Sequence, residues 1–179
     1  MEKSITETVT SEEGTGETHA TPKPEKEHDW LHRLLGDWDF TGECFMGTDQ
    51  PLMKSTGEFT VRSIGGLWVQ CEGISDALNG TPVPSVMTLG YDPQKGRFVG
   101  SFVAACMTRL WIYEGSLNEA RNELTLETEG PSFADDGTLV PYQDVIAIES
   151  DDHWTLKSRA PGEDGGWFEF MTAHYRRKK

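Results

Sequence analysis

The sequence predicts an all-β protein, an antiparallel up-and-down β-barrel of about ten strands with a short plug helix at its N-terminal side. Three observations carry that expectation. From Asp37 onward apolar residues alternate with polar ones instead of recurring at helical spacing. Gly, Pro, Asn and Asp punctuate these runs at regular intervals, as turns between short strands do. The one helical stretch, His28 to Leu35, precedes them all and stops at Gly36. Closure into a barrel is favoured over a sandwich because it removes exposed edges from a long meander.

Residues 1–27 are rich in Glu, Thr, Ser, Gly and Pro, with almost no large apolar side chain, and read as a disordered acidic tail. The remainder, 28–179, is of a size for one domain with a full core. The tail holds seven acidic and three basic residues, so a net −10 of the chain's −14 belongs to the domain. Such a charge repels a phosphate backbone and an anionic membrane surface, arguing against nucleic acid and membrane as partners. No apolar run approaches the roughly 18–20 residues of a membrane helix, and the N-terminus lacks a signal peptide's apolar centre. A cytoplasmic monomer or homodimer is the expectation. Cys44, Cys71 and Cys106 have no C-x-x-C spacing, so they read as half-buried apolar residues and not as a disulfide framework or zinc site.

The elements follow in order. His28 to Leu35 sets Trp30, Leu31, Leu34 and Leu35 on one side of about two helical turns. His28 and His32 superficially imitate a zinc-protease helix, but the helix is too short and lacks the glutamate base, so the pair reads as a polar rim. Gly36 allows a sharp exit from the helix. Trp38 then points inward from a first strand together with Phe40, Gly42 and Cys44, serving as the barrel floor.

Gly65-Gly66 joins a hairpin of 57–64 and 67–73. A loop over 77–84 follows, then strands 85–91 and 97–104 around Asp92-Pro93-Gln94-Lys95-Gly96. Strands 108–115 and 123–129, a loop over 131–137, strands 142–149 and 153–159, and a closing strand 167–177 complete the ten.

The ordered set His28-x-Trp30-Leu31, Leu35-Gly36-x-Trp38, Gly90-Tyr91-Asp92, Leu110-Trp111-x-Tyr113-Glu114-Gly115 and Tyr175-x-Arg177 resembles the uncharacterised family named domain of unknown function 1579, over essentially all of 28–179. Gly36-x-Trp38 at a helix-to-strand junction is also similar to the lipocalin and wider calycin barrels. That resemblance implies a basic residue of the last strand lying over the tryptophan: Arg177, or Arg176 if the strand is bulged. It lends a fold and no reaction. The chain departs from the family's pattern at Ala104-Ala105, where polar residues are usual, which puts in doubt any chemistry that a polar pair would carry.

If the barrel is hollow, alternate residues line its interior. The inward candidates are Phe40 and Cys44; Phe59, Val61, Val69 and Cys71; Thr88, Phe98, Phe102 and Ile146; and Trp167, Glu169, Met171 and Tyr175 on the last strand. Mostly apolar walls with a few polar groups suit one small hydrophobic ligand. Glu169, Tyr113 and Asp144 are the candidate acid–base groups of a cavity-templated enzyme such as a cyclase or isomerase, although burial statistics favour a solvated strand glutamate for Glu169. A filled structural or oligomerisation module is the third reading. His153 and His174 are candidate haem or metal ligands, but each stands alone in sequence, so no cofactor or metal is assigned. The loops over 78–84 and 132–140 are expected near an opening.

Overall fold

The computed structural model describes residues 21–179 except 46, 48, 77–80, 135 and 163. Most of the expected tail, with His19, and positions 78–80 of the expected mouth loop lie outside the described residues. Helix α1 spans Lys26–His32, two residues earlier than expected. It starts there because the Glu25 carbonyl accepts from the backbone of His28 and Asp29, while the Glu25 N–H donates to His28 Nδ1 at 2.8 Å. Three tighter bonds end it, from Arg33, Leu34 and Leu35 to the carbonyls of Trp30, Leu31 and His32. Gly36, at φ +134°, then turns the chain into the first strand.

Ten strands follow: β1 (Gly36–Cys44), β2 (Met53–Ile64), β3 (Trp68–Ser75), β4 (Val83–Asp92), β5 (Arg97–Ala104), β6 (Trp111–Leu117), β7 (Glu123–Pro131), β8 (Leu139–Ser150), β9 (His153–Pro161) and β10 (Trp167–Arg177). Each pairs antiparallel with its sequence neighbours, and β1 also pairs with β10, closing the barrel. The closing register sets Trp38 opposite Arg177 and Phe40 opposite Tyr175. At the β2–β3 hairpin Ile64 pairs with Trp68, so the connection has three residues, with Gly65 and Gly66 both at positive φ.

One irregularity matters for the interior. The β9–β10 register shifts between Glu169 and Met171, leaving Phe170 as an extra residue. Such a bulge reverses side-chain parity along a strand. Met171, Ala173 and Tyr175 therefore face inward, while Trp167 and Glu169, on the far side of the bulge, face out.

The interior has two halves. Toward α1 it is solid: Trp38, Val61, Val69, Leu89, Leu124, Leu126 and Ile146 are almost fully buried, and Trp30 and Leu31 of the helix and Leu34 just after it cap them. Trp38 donates its indole N–H to the Leu34 carbonyl at 2.9 Å, and Trp30 ties the helix to the β6–β7 loop through the Arg121 carbonyl, also at 2.9 Å. Burying an indole of roughly 200 Å² contributes at most about 5 kcal/mol. Across the middle lies an aromatic layer. The Tyr175 and Trp154 rings stack with centroids 3.6 Å apart, and Phe59 packs 5.1 Å from Tyr175 and 6.0 Å from Trp154. No helix among the described residues is long and apolar enough to cross a membrane.

Candidate functional site

Beyond the aromatic layer the barrel is hollow. A cavity of about 360 Å³ occupies the half away from α1 and is lined from all ten strands. Phe40, Phe59, Met87, Leu156 and Tyr175 form its floor and lower wall. The rim carries Cys44, Met53, Cys106, Met107, Trp111 and Phe170. The rim is exposed at Met53, Cys106 and Met107, so the cavity opens at that end. Aromatic contacts brace the mouth. Phe133, from the loop after β7, packs against Phe170 and Tyr142, with centroids 5.1 and 5.9 Å away.

The hydroxyls of Ser55, Ser75, Ser85 and Thr128 dot these walls, and one hydrogen-bonded carboxyl cluster lies among them. Tyr113 of β6, Asp144 of β8 and Ser158 of β9 all point inward, and both hydroxyls donate to the carboxylate. Tyr113 reaches Oδ2 and Ser158 reaches Oδ1, each at 2.5 Å, a length typical of charge-assisted O–H···O⁻ bonds. Burial pushes the Asp144 carboxyl above the ordinary carboxylate value, the donations from Ser158 and Tyr113 pulling the other way. Burial also raises the Tyr113 phenol well above its usual value, with the Asp144 charge adding to it. Among the described residues the Tyr175 hydroxyl makes no hydrogen bond, and burial raises its pKa as well. Among the described residues no Lys, Arg or His lines the cavity, and the acidic ones that do are Asp144 and, at the rim, Glu43.

The residues singled out in the sequence fall into three groups. Phe40, Cys44, Phe59, Phe102, Met171, Tyr113, Asp144 and Tyr175 line the cavity. Val61, Val69, Cys71, Phe98 and Ile146 point inward but belong to the solid half; burial there pushes the Cys71 thiol up to about 12. Thr88, Trp167 and Glu169 do not face the interior. In β4 the inward parity belongs to Met87 and Leu89, which are buried, so Thr88 faces out. Trp167 and Glu169 are turned outward by the Phe170 bulge.

Glu169 accepts from Thr172 Oγ1 at 2.7 Å and pairs with Lys157 at 3.2 Å. Its pKa is lowered on balance: partial burial raises it, but the Thr172 hydroxyl and the Lys157 ammonium together outweigh that. The raised pKa that an acid–base role in apolar walls would need is therefore replaced by its opposite. Cys106, Ser158, Trp111, Tyr142 and Phe170 were not anticipated at the cavity. Ser158 had a legible signal, as the one hydroxyl among the inward-parity residues Trp154, Leu156 and Ala160.

The described histidines lie away from the cavity. His28 holds the start of α1. His153 and His174, solitary in sequence, stack on one another across β9 and β10 with Nε2 and Nδ1 3.1 Å apart. The basic residue over Trp38 is Arg177, whose guanidinium carbon sits 4.1 Å from the ring centroid.

The family described as protein of unknown function (DUF1579) matches residues 23–177, nearly the whole barrel and its plug. The chain belongs to that family. Among solved structures, this DUF1579 barrel is similar to Rv2717c from M. tuberculosis, at 14% identity and TM-score 0.57 over 88% of this chain and all of that one. It is similar too to the S-type phycobiliprotein lyase CPES from Guillardia theta, at 13% identity and TM-score 0.56 over 88% of this chain and 99% of the lyase. At such identities the likeness is one of fold. A search of curated proteins finds no match to the DUF1579 chain.

Proposed function

We propose that this barrel binds one small, mainly apolar molecule in the hollow half of its interior. The observation that carries the reading is the cavity itself. About 360 Å³ falls within the roughly 300–1,000 Å³ of small-molecule sites and far exceeds the space for a buried water or two, which argues against a filled structural module. Largely apolar walls with a few hydroxyls and one hydrogen-bonded carboxyl suit a ligand held by area and oriented by that carboxyl. A cytoplasmic setting fits three unpaired cysteines, two of them on the cavity rim.

Native mass spectrometry of the full chain purified from its own host tests the reading, with a retained small mass as the expected result. A neutral fluorescent probe such as N-phenylnaphthylamine should bind the natural chain and not Ala104→Phe, which puts a ring into the lining near the mouth. Repeated recovery of empty protein, with equal probe uptake by both chains, overturns the reading.

The buried, hydrogen-bonded carboxyl of Asp144 favours one second reading, a cavity-templated acid–base enzyme. Under that reading Asp144→Asn retains probe binding and loses turnover.

A further inference from the structure

Asp144 is unusual for the wall of an apolar chamber. A carboxylate removed from water is costly unless opposed by a cation or well hydrogen-bonded. Tyr113 and Ser158 supply one hydrogen bond to each oxygen, which leaves about two of its four lone-pair sites unused. No basic side chain lines the cavity and none forms an ion pair with Asp144 among the described residues. The second acidic group, Glu43, lies at the rim and pairs with Lys54 at 3.3 Å, and the Arg109 guanidinium lies over the rim residue Trp111, so the unpaired charge inside the chamber is that of Asp144. The remaining titratable groups around the chamber are the phenols Tyr113, Tyr142 and Tyr175 and the thiols Cys44 and Cys106, with Cys71 beneath the floor.

Resting on the reading of this cavity as a ligand site, the geometry points to a small hydrophobic amine as the ligand class, its ammonium on Asp144 and its hydrocarbon against Phe40, Phe59, Phe102 and Leu156. The ammonium supplies the missing counter-charge and donates to the unused carboxylate lone pairs. The Tyr175 hydroxyl, without a partner among the described residues, is a further acceptor on the floor. Surrounding aromatic faces favour a cation over an anion. A fatty acid of the same length meets the opposite situation: no cation receives its carboxylate, and Asp144 repels it. The chain's net charge of −14 acts in the same direction at longer range, attracting cations to the mouth.

Octylamine, octanol and octanoate separate charge from hydrophobicity, because they share one hydrocarbon chain. Their binding to the full chain is measured by calorimetry at neutral pH, and again with Asp144→Asn, whose folding is followed by near-UV circular dichroism. The amine should bind the natural chain roughly tenfold or more tighter than the alcohol, with the carboxylate weakest. Asp144→Asn should erase the amine's advantage while leaving octanol binding in place. Glu43→Gln, which removes the rim acid and leaves Asp144 with both of its hydroxyl donors, should retain the preference for the amine, and loss of the preference there also overturns the inference. If the amine's advantage persists in Asp144→Asn, it reflects the outer surface field and the inference is overturned. Equal binding of all three overturns the amine class and leaves the binding cavity standing, whereas no binding of any of them removes both.

Discussion

The Arg177 guanidinium lies over the Trp38 ring at 4.1 Å and also donates from Nη1 to the Leu35 carbonyl at 2.8 Å. One side chain from the last strand thereby covers the indole at the first strand and holds the end of the plug segment. Its Nε reaches the Asp151 carbonyl at 2.9 Å, adding the β8–β9 turn to the same cluster. Barrel closure, plug docking and floor packing meet at this residue.

Removing Arg177 should consequently be expensive for a partly exposed residue. Arg177→Ala loses the cation–π contact and two hydrogen bonds from a charged donor, together about 2–4 kcal/mol. Arg177→Lys keeps the charge without the planar fork and should fall between the two. Urea unfolding of the three chains checks the order, and an alanine variant as stable as the natural chain contradicts it.

Gly36 is coupled to the same cluster. A Cβ there would overlap Arg177 Nη1, and φ of +134° is strained for any side chain. Gly36→Ala should destabilise by roughly 2–4 kcal/mol. The double variant with Arg177→Ala should be less destabilised than the sum of the singles, because the overlap disappears while the strain remains. Strict additivity would mean that the two residues do not feel one another.

Asp144 gives a pH dependence whose sign is fixed by its environment. Its carboxyl is held above the ordinary value by burial, so the folded chain binds that proton more tightly than the unfolded chain does. The associated stability is complete below about pH 4, where the unfolded carboxyl is also protonated, and is lost as pH rises through the folded value. Asp144→Asn has no charge to develop. Urea midpoints at pH 4 and pH 8 should show the variant gaining on the natural chain as pH increases; a pH-independent difference would remove the claim.

The three thiols should separate by position. Cys106 is exposed, Cys44 is half-buried with its pKa raised by that burial, and Cys71 is buried with its pKa pushed up to about 12. Iodoacetamide at pH 8 should alkylate Cys106 first, Cys44 more slowly and Cys71 only after unfolding. Both stand on the cavity rim, but Cys44 is half-buried and Cys106 exposed, so a bound ligand should slow the modification of Cys44 more than that of Cys106. Peptide mass mapping with and without octylamine reads both effects.

The barrel was legible in the sequence because its cues are local and repetitive. Alternation and turn chemistry mark all ten strands, and Gly36-x-Trp38 marks the junction of plug and floor. The site was legible only in part, since it depends on which parity faces inward. Phe40, Phe59 and Phe102 announce their faces by size. Thr88 was assigned to the wrong face although Met87 and Leu89 lay on the other. Trp167 and Glu169 sit across a bulge created by long-range pairing between β9 and β10, and no turn residue near Phe170 signals it. The polar centre needed three strands brought together, so Tyr113 and Asp144 could be suspected singly while their joint contact with Ser158 could not.

Because helix and hairpins seal one end, the chamber is a cul-de-sac. Under the proposed reading a guest would enter head first and leave by the door it came through, with its leading end tested at Asp144. Anything longer than the chamber would keep its tail outdoors, within reach of whatever hands it over or collects it.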